Sequence, residues 1–387
     1  MERATIGWKE LKAIDGERGV ATVARVRETS QVLADALTDF AFGEVFSRAE
    51  LGRRERELIT VGVLAAIGGA EPQLRIHLEA ALNVGADADE LVAIAEHLSV
   101  YAGFPRALNL LRETREMLEH QGLSLPLPSY RLQLSDHETL VTDTGGNNPP
   151  VVLLHALGLD RRMWRDVIRE LSANYRVIAY DLRGHGHAAG APLAKNIFDF
   201  ADDLRELLGH LGITKATVIG LSMGGSIAQC FALNHADRIE RLGILASTAW
   251  GHPTFEARAQ AAERDGMDAQ VIPTLTRWFT PEALALNNWA VRYARDRVQR
   301  ALVTDWSASW RALGQIDIEA RLGDINVPTF IIAGERDPST PPELMQKLAD
   351  AIPKASFEII AAGPHMLTLE KPREVAEAVL RKLALFV

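Results

Sequence analysis

The sequence predicts two domains of different class. Residues 1–122 read as an all-α helical bundle, and residues 123–387 as a mostly parallel, doubly wound α/β sheet with a helical cap at about 250–325. Three observations predict this. Residues 1–122 are rich in helix formers and carry almost no strand signal. From residue 131 onward, short apolar runs alternate with helical segments, as in a parallel sheet covered by helices on both faces. Between the apolar run Ala216 to Ile219 and a helix-compatible stretch stands Gly220-Leu221-Ser222-Met223-Gly224.

A chain of 387 residues is long for one domain and natural for two. It is 47% hydrophobic and 24% charged, ordinary for a globular protein. No apolar run is long enough to span a bilayer, so no membrane partner is expected. The first residues lack a signal-peptide pattern. The single cysteine, Cys230, excludes an internal disulfide and fits a reducing cytoplasm; it reads as a small buried hydrophobe. A net charge of −9 weighs against nucleic acid and leaves a small anionic substrate open.

Within the first domain, a helix is expected over 21–48 from Val23, Val26, Val32, Leu33, Leu37, Phe40 and Phe42. Another runs from Arg53 to Ile67 and ends at Gly68-Gly69. The next covers 72–83 and closes at Asn83-Val84-Gly85. Asp87, with Glu90 three residues on, caps a helix running to about Tyr101. Gly103-Phe104-Pro105 separates it from a last helix at about 105–120. Residues 121–130 hold two prolines, a glycine and two serines, and mark a short linker around 121–127.

The stretches Arg54 to Thr60, Ile76 to Gly85 and Val100 to Pro105 carry a resemblance. Over about residues 20–120 the chain resembles the carboxymuconolactone decarboxylase family. The resemblance implies a helical bundle that forms homo-oligomers. A related branch uses a Cys-x-x-Cys pair between the equivalents of Glu57 and His77; here Gly69-Ala70-Glu71-Pro72 stands there, which excludes thiol redox chemistry in this domain. In the family's reaction a lactone loses a carboxylate, and the electrons flow through a C=C bond into the lactone carbonyl. The sink belongs to the substrate, so no metal or organic cofactor is expected. The protein must return a proton to carbon, work suited to an imidazole. His77 is the candidate, Glu57 its partner and His97 a further candidate, whereas Tyr101 reads as packing. The bland alternatives are a solvated Glu57 and a structural His77.

In the second domain, strands are expected at Arg131 to Leu134, Glu138 to Thr142, Val151 to Leu154, Arg176 to Tyr180, Val218-Ile219, Leu242 to Leu245, Thr329 to Ala333 and Ser356 to Ile360. Ligands of such sheets bind at the C-terminal strand ends. Gly-x-Ser-x-Gly after a strand and before a helix is a nucleophile elbow, which makes Ser222 the candidate nucleophile. Asp337 follows one strand and His365 follows the last, giving the chain order Ser, Asp, His. A base must deprotonate the serine and a carboxylate must orient the base; Glu335 is the alternative acid. The turn His155-Ala156-Leu157-Gly158 suggests backbone N–H groups of Leu157 and Met223 as an oxyanion hole, with Ala156 standing where glycine is common. Asp181 and His185, in the loop after the fourth strand, read as scaffold.

The cap segment is helical and holds Trp278, Trp289, Trp306 and Trp310. Leu154 to Trp164, Arg277 to Pro281 and Ala333 to Pro342 are similar to 3-oxoadipate enol-lactonases of the α/β-hydrolase fold, over about 131–385. Ser307 to Gln315 departs from that pattern by carrying Trp310 and Arg311. A carboxylate-bearing lactone needs a cation in the cap, for which Arg277 and Arg311 are candidates beside Trp278 and Trp310. The two resembled activities are consecutive in the protocatechuate branch of the 3-oxoadipate pathway. Together they imply a bifunctional enzyme of aromatic catabolism, decarboxylating 4-carboxymuconolactone and opening 3-oxoadipate enol-lactone. The competing readings are a hydrolase for another ester or lactone whose helical domain only oligomerises, and a hydrolase-fold binding protein that turns over slowly.

Overall fold

The computed structural model describes residues 2–123 and 125–384, so Ser124 of the expected linker lies outside the described residues. The chain forms two compact units, Met1–Pro126 and Leu127–Val387.

In the first unit, α1 (Glu2–Thr29) is kinked at Gly16, where φ is +63°. α2 (Gln31–Asp35) follows, then a π-helical stretch, Ala36–Phe46. The single helix expected over 21–48 is thus replaced by three segments. Ser30 is the physical reason for the break: its hydroxyl accepts the Leu33 N–H at 3.3 Å, which starts a new helix rather than extending the old one. The wider winding of 36–46 also defeats a 3.6-residue reading. Val32, Leu33 and Phe40, expected on a buried face, are 77%, 60% and 62% exposed.

α3 (Arg53–Ile67) stops at Gly68, whose φ of +67° suits only glycine comfortably. α4 (Glu71–Asn83) has Pro72 in its first turn, where a missing N–H costs nothing. α5 (Ala88–Tyr101) opens on the Asp87/Glu90 capping box, and α6 (Phe104–His120) follows. Val61, Leu78, Leu91 and Leu110 form the bundle core. Leu11, Ile14 and Val23 of α1 form a second cluster with Phe42 and Ala80.

The second unit is an eight-stranded sheet among the described residues, in the order β1-β2-β4-β3-β5-β6-β7-β8. The strands are β1 (Ser129–Gln133), β2 (Glu138–Asp143), β3 (Pro150–Leu154), β4 (Arg176–Tyr180), β5 (Ala216–Leu221), β6 (Ile239–Leu245), β7 (Thr329–Gly334) and β8 (Ala355–Ile360). β1 and β2 pair antiparallel, and β3 to β8 are parallel. Val152 of β3 lies beside Ile178 on one side and Val218 on the other. α7 (Arg165–Leu171), α8 (Ile197–His210) and α9 (Met223–Asn234) connect the first parallel strands.

Between β6 and β7 stands the cap: α10 (Pro253–Asp265), α11 (Asp268–Trp278), α12 (Pro281–Leu286), α13 (Trp289–Arg300) and α14 (Val303–Gly314). An antiparallel bridge from Trp250 to Asp317 closes its base. α15 (Pro342–Ala351), α16 (Leu367–Glu370) and α17 (Pro372–Ala384) complete the unit. The strand order reverses about β3, so the loops after β3 and β5 open a crevice between them. Among the described residues no helix is long and apolar enough to cross a membrane.

Candidate active site

Ser222 sits on the turn from β5 into α9 with φ +55° and ψ −120°, a conformation that strains any residue with a side chain. The flanking glycines make the turn possible. A Cβ on Gly220 would lie 2.0 Å from the Gly224 carbonyl oxygen, and one on Gly224 would lie 2.2 Å from that of Leu154. The carbonyl of Ser222 accepts the N–H groups of Gly225 and Ser226 at 2.9 and 3.1 Å. It also accepts the Ser247 hydroxyl at 2.6 Å. These bonds hold the turn and leave the Ser222 hydroxyl free to point outward.

His365 Nε2 lies 3.1 Å from Ser222 Oγ, and its Nδ1 lies 2.8 Å from Asp337 Oδ2. Asp337 is buried, and its other oxygen accepts the N–H groups of Ser339 and Thr340 at 2.7 and 3.0 Å. The Thr340 hydroxyl donates to Oδ2 at 2.5 Å. Burial alone would raise the Asp337 pKa. His365 and the hydrogen bonds from Thr340 outweigh it and hold the carboxyl below its ordinary range. An ionised Asp337 keeps the proton on Nδ1, so Nε2 turns a lone pair toward Ser222. Glu335 is engaged elsewhere: it accepts the Ala362 N–H at 2.6 Å.

Met223 N–H is the first of α9, where the helix dipole favours negative charge. Leu157 lies in the same cavity wall as Ser222. Among the described residues, neither N–H donates to another group of the chain. The turn bearing Leu157 is fastened at both ends. Ala156 N–H donates to Met163 Sδ at 3.2 Å, and Asp160 N–H donates to the Tyr293 hydroxyl at 3.0 Å. That hydroxyl donates in turn to Asp160 Oδ1 at 2.8 Å. Gly158 has φ +77°, and a Cβ there would lie 2.5 Å from the Trp306 ring. The glycine this turn requires is therefore Gly158, while Ala156 is held through its backbone N–H.

A cavity of about 390 Å³ opens over Ser222 and His365, beneath Trp278 and Trp310. That is the size of a small-molecule site. Arg277 lines it, and so does Arg258 of α10, a residue the sequence reading passed over. Arg258 lies over the Trp310 ring, 4.6 Å from its centroid. The available signal was its position in the stripe Phe255, Arg258, Ala259, Ala262, where a charge interrupts an inward-facing apolar row.

In the helical unit, His77 Nδ1 of α4 lies 2.8 Å from Glu57 Oε2 of α3. Glu57 is fully buried, not solvated, and its Oε1 has no partner among the described residues. Asp15 of α1 joins this pair electrostatically. Burial pushes its pKa up to about 6, with His77 opposing and Glu57 reinforcing the rise. Burial works to lower the pKa of His77, but the Glu57 hydrogen bond and the charges of Glu57 and Asp15 outweigh it and raise it. His97 is exposed and its ring lies 5.0 Å from that of Tyr101 at a tilt of 46°, with no bond to the pair among the described residues. Tyr101 is 79% exposed and so does not pack into the core.

Comparison with known proteins agrees with both halves of this description. The sequence profile of the alpha/beta hydrolase fold matches residues 149–372, more than half of the chain. The chain belongs to the α/β hydrolase family. The profile of the carboxymuconolactone decarboxylase family matches residues 31–116, so a domain of that family is fused ahead of the hydrolase. The hydrolase is 31% identical over 232 residues to 3-oxoadipate enol-lactonase 1 of Acinetobacter baylyi, covering 59% of this chain and 86% of that enzyme. It is 30% identical over 243 residues to enol-lactonase 2 of the same organism, covering 61% and 90%. A crystal structure of the enol-lactonase from Burkholderia xenovorans superposes with a TM-score of 0.64 at 30% identity, covering 66% of this chain and 100% of that one.

The hydrolase also corrects one expectation. Arg311 does not line the Ser222 cavity. Its guanidinium pairs with Glu256 at 3.0 Å and Glu263 at 2.6 Å, and its side chain is 39% exposed. Adjacent residues of a helix point about 100° apart, so Trp310 facing inward turns Arg311 outward. Asp181 accepts the N–H groups of Arg161 and His187, and His185 packs edge-on against His155. Burial lowers the pKa of His155 to about 4 and that of His185 to about 3, so both are neutral scaffold. Cys230 is buried, which pushes its thiol up to about 12. Among the described residues, Asp136, His137 and Asp203 are spaced for a metal, but Arg183 already pairs with Asp136 at 2.8 Å and Asp203 at 2.6 Å.

Proposed function

We propose that this chain carries out two consecutive reactions of aromatic catabolism: decarboxylation of 4-carboxymuconolactone in the helical unit, and hydrolysis of the resulting 3-oxoadipate enol-lactone at Ser222. The observation that carries the reading is the unbroken hydrogen-bond chain Ser222–His365–Asp337 at the floor of a small cavity, in a chain that also holds a carboxymuconolactone decarboxylase-family domain. Ser222 Oγ attacks the lactone carbonyl while His365 Nε2 takes its proton. The N–H groups of Leu157 and Met223 stabilise the oxyanion. The ring C–O bond breaks, the enolate leaves, is protonated and becomes a ketone. Water activated by His365 then cleaves the acyl-serine, and the proton returns to Ser222 Oγ.

In the helical unit the substrate's own carbonyl takes up the electrons released with carbon dioxide, and His77, steadied by Glu57, returns a proton to carbon. Neither step calls for a metal or an organic cofactor. Exposed Ile67, Val100, Phe104 and Leu108 support self-association of this unit into a homo-oligomer, measurable by analytical ultracentrifugation. The setting proposed is the cytoplasm, with neither nucleic acid nor membrane as partner.

The test supplies 4-carboxymuconolactone to the whole protein. Wild type should release 3-oxoadipate, and Ser222→Ala should accumulate the enol-lactone. Failure to consume the compound, with the enol-lactone still hydrolysed, favours an oligomerising role for the helical unit. Failure on both compounds overturns the proposal.

A further inference from the structure

The cavity over Ser222 holds an uncompensated pair of cations. Arg258 projects into it from α10 and Arg277 from α11, on the cap side, opposite the triad. No Asp or Glu lines the cavity among the described residues, and neither arginine has a carboxylate partner there. Among the described residues Arg277 donates to the Pro273 carbonyl at 2.8 Å and the Thr274 hydroxyl at 3.2 Å and to no carboxylate. Arg258 is held by the faces of Trp310 and Phe255. The other cap arginine considered, Arg311, shows the contrast: it faces outward and has two glutamates. Burial, and then the charge of Arg258, lower the Arg277 pKa to about 10. Two half-buried like charges without a counter-ion destabilise each other, and a ligand anion relieves both penalties at once.

Building on the triad as catalytic centre, we propose that Arg258 and Arg277 together grip one free carboxylate of the substrate, so that the ligand ties α10 to α11 while its acyl carbon lies at Ser222. The substrate class is a short lactone or ester carrying a carboxylate at the end remote from the scissile bond. Arginine forks suit this because each presents paired N–H donors in a plane. The indole of Trp310 keeps Arg258 extended across the cavity. Short dicarboxylates, the products of such a reaction, then occupy the same place as inhibitors.

The experiment compares the p-nitrophenyl half-ester of glutarate with p-nitrophenyl butyrate. Wild type should favour the half-ester in kcat/KM by about tenfold or more, and Arg258→Ala and Arg277→Ala should each cut that preference about tenfold. Arg258→Lys should restore part of it. A second measurement needs only wild type: glutarate should raise Tm and slow fluorophosphonate labelling of Ser222, and neutral glutaramide should do neither. A wild-type preference near one, or equal protection by glutaramide, overturns the proposal. Absence of labelling without any additive would instead strike the catalytic role of Ser222, and the glutarate-dependent Tm would still judge the arginines.

Discussion

The two units solve the same problem, holding an imidazole against a carboxylate, in different ways. In the hydrolase, Asp337 is saturated: His365, Thr340 and two backbone N–H groups occupy its oxygens. In the helical unit, Glu57 is as deeply buried but keeps one oxygen without a partner, and a second acid, Asp15, adds its charge nearby. The first arrangement orients His365 with Nδ1 on the carboxylate and Nε2 toward one hydroxyl. The second sets His77 and Asp15 as opposite charges around a carboxylate with one oxygen unpartnered among the described residues, and it raises the pKa of both. Rigid satisfaction and deliberate deficit are thus two ways of tuning one residue type.

The sharpest way to break this comparison is Ser222→Ala. Hydrolysis of the enol-lactone should fall by about ten-thousandfold or more, while decarboxylation continues; parallel progress curves for the two compounds check it. Next, His77→Gln should lower decarboxylation by about a hundred- to ten-thousandfold and spare hydrolysis. A loss confined to assembly, seen by sedimentation, would instead make His77 structural. Third, Tyr293→Phe removes the hydroxyl that meets both the N–H and the carboxylate of Asp160. It should lower kcat of hydrolysis about tenfold with KM little changed, since a misplaced Leu157 N–H is felt in the transition state.

The smallest effect concerns stability. Folding raises the Asp15 pKa from 3.8 to about 6, so the folded state holds that proton more tightly than the unfolded chain. The group therefore destabilises the fold progressively as pH rises between these values. Asp15→Asn should raise Tm by a few degrees at neutral pH, and the gain should fade below about pH 4. Thermal melts at three pH values read this directly; a gain that persists in acid would mean that the Asp15 charge is not the cause.

The triad was legible because each member stands in a loop directly after an apolar strand, where chain order alone restricts the choice. The capping box at Asp87 and Glu90 was legible for a similarly local reason. Arg258 was not, because α10 carries several charges and only packing tells which one turns inward. Arg311 misled because a residue beside a cavity-lining tryptophan need not share its direction. Asp15 was invisible for another reason. It lies in a stretch of mixed charges interrupted by Gly16, and its place depends on α1 packing onto α4, where Asn83 donates to the Ile14 carbonyl at 3.1 Å. That helix precedes the span matched by the decarboxylase-family profile.

The fastening of Gly158 beneath Trp306 and of Asp160 to Tyr293 has a practical corollary. Both tethers come from the cap, yet both end on the turn that carries Leu157. Exchanging this lid for that of another hydrolase, a common route to new specificity, would loosen the chemistry as well as the selectivity. A graft that kept an indole and a phenol at those two seats should remain catalytic, and one that discarded them should bind its new ligand and leave it uncut.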